Sequence, residues 1–260
     1  MIFKPLKNAI NTTFRVAGYF GVDGFKAVRT LVGLPGFARD AKAYAKHQNK
    51  QFPLQWKYAY PVLDERYINA GAVDGHYFHQ DLWAAREIFR ANPARHVDIG
   101  SRIDGFIAHL LVFREVEVVD IRPLMPNVSG LRFTQDDATE LKRFADDSLE
   151  SISSLHAAEH FGLGRYGDAI DPDAWSKFAH ALTRVLRPGG HLYFSVPCGQ
   201  EKLHFNAHRV FSPDTLLDAF CGLNLVSLHG VADDGHLYEH MPAKALAGQQ
   251  YGCGLFHFTK

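Results

Sequence analysis

The spacing of hydrophobic and polar positions changes near residue 75. Before that point apolar residues recur every three or four positions, which predicts an amphipathic helix, and glycines then interrupt short basic stretches. The residues of the apolar stripe are Leu6, Ile10, Phe14, Ala17 and Phe20. The pattern predicts a helical extension over residues 1–75 and a separate domain over residues 76–260.

From residue 76 onward, helix-type and strand-type patterns alternate. Such alternation predicts an α/β fold in which right-handed crossovers join the strands of a parallel sheet. The predicted elements are the helix FHQDLWAAREIFRAN, the strand RHVDIG, the helix DGFIAHLLVF, the strands EVEVVDI, LRFTQ and LESISSLHA, the helix DAWSKFAHALTRVL closed by the glycines of RPGG, the strand HLYFSVP, the helix PDTLLDAF, and the strands LNLVSLHGV and GLFHFT. No ordinary helix separates the last two strands, so an antiparallel pair is expected at one edge.

Composition and charge narrow the choice of partners. Lys plus Arg equals Asp plus Glu at 28 each, so the whole chain offers no electrostatic reason to bind nucleic acid. Residues 1–57, however, carry ten Lys or Arg against Asp23 and Asp40 alone. This basic segment predicts either peripheral contact with anionic lipid or a polyanion, or a solvated positive face over an apolar contact stripe.

Cysteine usage and hydropathy bear on the compartment. Cys198, Cys221 and Cys253 are odd in number and widely spaced, which predicts neither a disulfide framework nor a thiolate zinc site. Lysines interrupt the first residues, and no apolar run reaches 18 residues. We therefore expect a cytoplasmic protein, at most peripheral to the inner face of the membrane.

The loop after the first predicted strand is where a ligand is expected. In open α/β sheets, ligands lie at the carboxyl ends of the strands, near the point where strand order reverses. The loop VDIGSRIDGF places Gly100, Arg102 and Gly105 in the three slots of a G-x-G-x-x-G pattern. Arg102 in the middle slot obstructs a dinucleotide pyrophosphate, which favours S-adenosylmethionine over a nicotinamide cofactor.

Acidic residues follow the next two predicted strands. Asp120 ends the second strand twenty residues after Gly100, where a carboxylate accepts hydrogen bonds from a ribose diol. Asp136 or Asp137 follows the third strand and is placed to accept from an adenine amine. Each acid alone is also typical of a loop or cap, and the case depends on their common register.

With these motifs, the chain from about residue 94 to its end resembles the class I S-adenosylmethionine-dependent methyltransferases. The motifs are VDIGSRIDGF, VVDI, DDATEL, SLHAAEHFG and LTRVLRPGGHLYFSVP, while GLGRYGD and FNAHR resemble a bacterial subgroup of that superfamily. The resemblance implies a Rossmann-like sheet of seven mostly parallel strands with an antiparallel edge strand. It also implies cofactor contacts from Asp98, Gly100, Ser101, Gly105, Asp120, Ile121, Asp136, Asp137, Ala138 and His156.

The stretch SLHAAEHFGLGRYGD contains His-x-x-Glu-His, a pattern also found in zinc peptidases. That chemistry needs His156 and His160 on one face of a helix, whereas GLG at 162–164 ends any helix early. In a methyltransferase, His160 is the first choice and His156 the second for a general base, with Glu159 orienting an imidazole or a substrate hydroxyl. The structural alternative is that His156 packs beneath the cofactor and Glu159 caps the next turn.

Two polar loops are predicted to bind the acceptor. A guanidinium, an aromatic ring and a carboxylate in GRYGD suit a polar or sugar-like molecule, although Arg165 is equally able to pair with Asp168 or Asp171. The segment HYFHQDLW is expected either to close over the site or to anchor the core. The predicted acceptor contacts are Arg165, Tyr166, Asp168, His204, Asn206, His208 and Arg209.

These observations predict methyl transfer from S-adenosylmethionine to a hydroxyl of a small molecule or glycan, within polysaccharide biosynthesis. One alternative is a catalytically inactive module that binds the cofactor or a nucleotide in glycan assembly, and another is a zinc hydrolase. No metal ligands are assigned, no nucleic-acid partner is expected, and the oligomeric state stays open.

Overall fold

The computed structural model describes residues 18, 20–47, 51–63, 65–67 and 69–260. The chain divides between Ala72 and Val73 into two units. The predicted amphipathic stripe at Leu6 to Ala17 lies outside the described residues.

Among its described residues, the first unit contains one long helix, α1 (Gly24–Lys46), followed by two 3₁₀ turns at Trp56–Tyr58 and Glu65–Tyr67. Asp23 caps α1 by accepting a hydrogen bond from the amide of Lys26 at 3.0 Å. The helix runs through the glycines that were expected to interrupt it, and that expectation was wrong. Gly33 permits close packing, since a Cβ there would collide with the carbonyl of Leu63.

The second unit is a Rossmann-like α/β sandwich built on a sheet of eight strands. From one edge to the other the strand order is β3-β2-β1-β4-β5-β10-β8-β9, and β1 to β5 are parallel. The strands are β1 (Val97–Ile99), β2 (Val116–Asp120), β3 (Leu131–Gln135), β4 (Leu149–Leu155), β5 (Leu186–Cys198), β6 (Lys202–His204), β7 (His208–Val210), β8 (Asn224–Val231), β9 (Leu237–Tyr238) and β10 (Gly252–Thr259). The reversal of strand order places the switch point between β1 and β4.

The predicted count of seven strands in this sheet was wrong. The two-residue strand β9 pairs antiparallel with β8 and forms the outer edge. Two residues are too few to show an alternating pattern, which is why the sequence gives no sign of it. The expected antiparallel pair does form, because β10 runs against both β8 and β5. Strands β6 and β7 form a separate hairpin beyond β5.

Helices cover both faces of this sheet. They are α2 (Gly75–Ala91), a π-helical turn (Ile103–Ile107) that continues into α3 (Ala108–Leu110), α4 (Ala174–Val185), α5 (Pro213–Ala219) and α6 (Ala243–Ala247). The helix predicted as DGFIAHLLVF is therefore shorter than expected. The glycines of RPGG do not stop α4, because the chain enters β5 at Leu186 and Gly189 takes a positive φ of 73° within that strand.

Two buried apolar clusters hold the sandwich together. Neighbouring residues of one strand belong to different clusters, as Tyr193 and Phe194 do in β5, because successive side chains point to opposite faces. One cluster includes Phe178 and Leu182 of α4, and the other includes Ile88 of α2. Within the described residues, no helix is long and apolar enough to cross a membrane.

Candidate functional site

A cleft opens at the carboxyl ends of β1 to β4, where a ligand was expected. It encloses about 930 Å³ when the solvent at its mouth is counted. This first cleft is lined by Ile99, Gly100, Val119, Asp120, Ile121, Arg122, Asp137, Ala138, Thr139, Glu140, His156, Ala157, His160, Phe161, Gly162, Tyr166, Asp168, Ala169, Asp171, Ala174 and Lys177. Glycines and carboxylates from three consecutive strand ends therefore meet in one place.

Gly100 exposes bare backbone at the floor of the first cleft. Its φ is +72°, and a Cβ added there would lie 2.9 Å from the Cβ of Ala157, so glycine is required both by conformation and by space. Gly105, assigned to the same motif, does not line this cleft. It packs instead against Asp81, whose carboxylate would lie 2.6 Å from an added Cβ.

Asp98 and Ser101 lie behind the loop, fully buried. The Asp98 carboxylate accepts hydrogen bonds from Ser101 Oγ at 2.6 Å, from the Ser101 amide at 3.0 Å and from Ser153 Oγ at 2.5 Å. Burial raises the pKa of Asp98 to about 7, and the serine hydrogen bonds oppose that rise. These two residues hold the loop in shape and do not border the first cleft.

Asp120 reaches the cleft but already has a partner. Arg122 donates Nη2 to Asp120 Oδ2 at 2.6 Å, and Arg122 Nε lies 3.0 Å from Oδ1. The hydrogen bond to Asp120 raises the pKa of Arg122. The guanidinium also lies over the ring of Tyr166, 4.6 Å from its centroid. A diol that binds Asp120 must therefore displace this arginine from the carboxylate.

The loop after β3 separates its two acids. Asp137 and Ala138 line the first cleft, and Asp137 Oδ1 accepts a hydrogen bond from the amide of Thr139 at 2.9 Å. Asp136 is directed elsewhere, with its carboxylate 2.9 Å from Arg143 Nε. Of the two acids that the sequence left open, Asp137 is therefore the one that lines the first cleft.

The His-x-x-Glu-His stretch does not form one face of a helix. His156 has a positive φ of 51°, and only Ala158–His160 form a 3₁₀ turn. His156 Nδ1 lies 2.6 Å from Glu159 Oε1, and His160 Nε2 lies 3.6 Å from the same oxygen. The two histidines therefore contact one carboxylate, an arrangement unlike that of a zinc peptidase helix.

Glu159 is buried between the two histidines. Burial tends to raise its pKa, but the charge and hydrogen bond of His156, together with His160, outweigh that effect and hold the pKa below its usual range. Its Oε1 contacts His156, while Oε2 has no hydrogen-bond partner among the described residues.

His160 directs one nitrogen toward the backbone and the other toward the Glu159 carboxylate. Its Nδ1 lies 2.6 Å from the carbonyl oxygen of Ala207, an acceptor, so the ring proton belongs on Nδ1 and Nε2 carries the lone pair. Burial lowers the pKa of His160, and Arg165 and His156 add to that effect, while Glu159 and the Ala207 carbonyl oppose it. The lowered pKa favours the neutral form of this imidazole, which borders both cavities.

A second cleft adjoins the first and includes the predicted acceptor loop. It is lined by Tyr77, Gly100, Arg102, Arg122, Leu155, His156, Glu159, His160, Arg165, Tyr166, His208 and Tyr251. Arg165 donates to the carbonyl of Ala207 at 2.9 Å, so the alternative pairing with Asp168 or Asp171 does not form. Asp168 instead accepts from the amides of Gly164 and Tyr166 and holds the loop closed.

In the second polar loop, HFNAHR, some of the predicted acceptor contacts line a cleft and others do not. His208 lines the second cleft, whereas His204 and Asn206 are exposed outside both clefts. His204 does lie near His208, with ring centroids 5.0 Å apart and the ring planes tilted by 48°. Arg209 donates to the carbonyl of Phe161 at 2.6 Å and thereby supports the loop from behind.

Several lining residues were not assigned from the sequence. Arg102 was treated only as a motif position, and Arg122 was not considered. Tyr251 had no signal at all because it precedes the last strand by a single residue. The segment HYFHQDLW was expected either to close over the site or to anchor the core. Tyr77 lines the second cleft, and Trp83 is buried in the core.

Comparison with known proteins places this geometry in context. A family model described as Caenorhabditis protein of unknown function, DUF268, matches residues 117–242, just under half of the chain. No match was found among curated proteins.

Solved structures give a clearer relation. A candidate sarcosine dimethylglycine methyltransferase from Galdieria sulphuraria is 17% identical with a TM-score of 0.51, over 70% of this chain and 85% of that one. The 4+2 cyclase SpnF is 12% identical with a TM-score of 0.50, over 69% of this chain and 81% of that one. The second unit therefore has the Rossmann-like fold of methyltransferases, a fold that SpnF shares.

Proposed function

We propose that the protein is an S-adenosylmethionine-dependent methyltransferase that acts on a hydroxyl of a polar small molecule or glycan. The observation that carries the proposal is the first cleft, where Gly100, Asp120 and Asp137 meet at the ends of β1, β2 and β3. The structural likeness to a methyltransferase supports it. The bacterial subgroup, a cytoplasmic location, a role in polysaccharide biosynthesis and peripheral contact of the basic segment with anionic lipid belong to the same proposal.

The residues of the first cleft fit the cofactor. Bare backbone at Gly100 admits close approach, and Ile99, Val119 and Ala138 offer apolar walls suited to an adenine. Asp120 is placed for the ribose diol once Arg122 is displaced, and Asp137 for the adenine amine. When bound, the cofactor supplies an electrophilic methyl group on a sulfonium.

His160 is the residue best placed to remove the acceptor proton. The residue lines both clefts, and Glu159 Oε1, 3.6 Å from its Nε2, stabilises the imidazolium that results. His156 is less suited to that role because Glu159 and His76 engage its two nitrogens. Arg165 and Tyr166 then hold the acceptor in the second cleft.

A second candidate is a module that binds the cofactor or a nucleotide without chemistry. Two observations favour it. Arg122 occupies the Asp120 carboxylate, and Arg102 replaces the glycine in the middle of the first motif. SpnF also shows that this fold does not by itself determine the reaction.

Calorimetric titration with S-adenosylmethionine and S-adenosylhomocysteine tests the binding step. We expect Asp120→Asn to weaken binding at least tenfold, about 1.4 kcal/mol, because the amide cannot accept from both hydroxyls. The matched control is Glu115→Gln, which removes an exposed acid paired with Arg132 far from the cleft. Equal affinity in Asp120→Asn and wild type would refute the proposed site.

Formation of S-adenosylhomocysteine with a panel of glycan and small hydroxyl acceptors tests the chemical step. We expect His160→Gln to lower kcat about 10²- to 10⁴-fold with little change in cofactor affinity. His180→Gln, on the exposed face of α4, is the control. Because His160 must be unprotonated and its pKa is lowered, wild-type activity should fall only below the usual histidine range. Binding without turnover for any acceptor would favour the module.

A further inference from the structure

Three distant segments bring metal-ligating side chains together beside the second cleft. His76 comes from the start of α2, His156 follows β4, and Cys253 lies at the start of β10. One ligand atom from each lies within 4.8 Å of the others, and His76 Nδ1 is 3.2 Å from His156 Nε2. His156 and Cys253 are buried, and His76 is half-buried.

The outer nitrogens of the two histidines determine where their protons lie. His76 Nε2 is 3.1 Å from the carbonyl oxygen of Tyr251, and His156 Nδ1 is 2.6 Å from Glu159 Oε1. Both partners are acceptors, so each ring, when uncharged, directs its proton outward. The facing nitrogens are then both lone pairs, an unfavourable contact that a shared proton or a metal ion between them relieves.

We propose that His76, His156 and Cys253 form a site for a divalent transition metal, with Zn²⁺ the best match to two imidazoles and a thiolate. Two nitrogens about 2.0 Å from a tetrahedral zinc are about 3.3 Å apart, close to the observed separation. A carboxylate and a backbone carbonyl behind the histidines match the outer partners of metal-binding histidines.

The site also has an entry path and an open position. His156 and Tyr251 line the second cleft, so water or an acceptor can reach a fourth ligand position from that side. On binding, the Cys253 thiol releases its proton to solvent and the metal takes its place. The site would tie α2 and β10 to the end of β4, and His160 is not one of its ligands.

A second histidine pair in the same sheet provides a matched comparison. His191 Nδ1 lies 3.0 Å from His257 Nε2. Within the described part of the chain, however, no acceptor holds the outer nitrogen of either ring, so one ring is free to donate to the other. No thiol or acid joins this pair in a metal-ligating group of described residues.

Metal binding by the purified full-length chain is the direct test. After treatment with a chelator, we expect one equivalent of Zn²⁺ to bind in a calorimetric titration. One equivalent of Co²⁺ should produce a thiolate-to-cobalt charge-transfer band in the near ultraviolet. Absence of stoichiometric binding, or cobalt binding without this band, would overturn the proposal. The readout needs neither S-adenosylmethionine nor an acceptor, so its failure is distinguishable from failure of the proposed methyl transfer.

Variants then identify the ligands. We expect Cys253→Ser to remove the charge-transfer band and His76→Ala to weaken Zn²⁺ binding at least about tenfold. His257→Ala and Cys221→Ser should leave the affinity unchanged, since those residues lie outside the cluster. Persistence of the band in folded Cys253→Ser would refute this ligand set. If a variant does not fold, the wild-type cobalt spectrum remains decisive.

Discussion

Asp98 shows how one buried residue departs from its motif. The resemblance implies that Asp98 contacts the cofactor. Its carboxyl group instead accepts hydrogen bonds from Ser101 and Ser153, and the residue does not line the first cleft. Its role is to fix the loop from which Gly100 reaches the cleft. A local motif does not reveal this, because the partner Ser153 lies 55 residues away on β4.

The raised pKa of Asp98 has a consequence for stability. Its pKa rises from 3.8 to about 7 on folding, so between about pH 4 and pH 7 the folded state retains a proton that the unfolded state has lost. The free energy of unfolding should therefore fall as pH rises through this window, by up to about 1.4 kcal/mol per pH unit. Asp98→Asn should remove this contribution.

Urea denaturation of both proteins at several pH values between 4 and 7 checks this expectation. Buried histidines such as His96, whose pKa is lowered to about 3 by burial, add a slope of opposite sign that is common to both proteins. The difference between the two curves therefore isolates Asp98. Parallel curves would show that Asp98 keeps an ordinary pKa.

At the scale of elements, the loop from Gly162 to Asp171 forms a wall of the first cleft. Gly162 and Gly167 in this loop both have a positive φ, but they differ in the space available for a side chain. A Cβ at Gly162 would collide with the carbonyl of Asp171, whereas a Cβ at Gly167 would meet nothing within 4 Å. An alanine at Gly167 would therefore test backbone strain alone, whereas an alanine at Gly162 would test strain together with close packing.

We expect Gly167→Ala to reduce the free energy of unfolding by about 1 kcal/mol, the cost of a left-handed residue that has a side chain. Gly162→Ala should cost about 3 kcal/mol or more, because the chain must also move away from Asp171. Chemical denaturation measures both values. Similar losses for the two variants would mean that the loop shifts freely to admit a side chain at Gly162.

At the scale of the whole molecule, all described members of both apolar clusters belong to the second unit. The first buried member along the chain is Trp83 and the last is Phe258. The eight-stranded sheet and both clefts are likewise formed by residues after Val73. The elements needed for a stable domain are therefore present in this unit.

A chain that begins at Val73 should therefore fold by itself and unfold in one cooperative transition. Circular dichroism during heating, compared with the full chain, measures this. Retained binding of S-adenosylmethionine by the shortened chain would show that the first unit is not needed for the cleft. Aggregation or a broad, non-cooperative transition would show that the two units depend on each other.

The sequence by itself determined the class of the fold and predicted which strand ends meet at the first cleft. Apolar runs such as EVEVVDI and HLYFSVP and their alternation with helices predicted the parallel sheet, since these patterns depend on neighbours along the chain. Gly100, Asp120 and Asp137 were predicted to lie together for the same reason, because a fixed register after successive strands brings them to one edge, and all three line the first cleft.

Only the tertiary structure decided which polar groups face the clefts and which support them. It turned Asp98 and Arg209 toward the protein, paired Asp120 with Arg122, and placed His76 and Cys253 beside His156. These contacts join residues far apart in the chain, and their geometry depends on how the sheet and helices pack. The pattern of neighbouring residues shows the periodicity that predicts each helix or strand. It contains no information about the distance between two side chains that lie far apart in the chain.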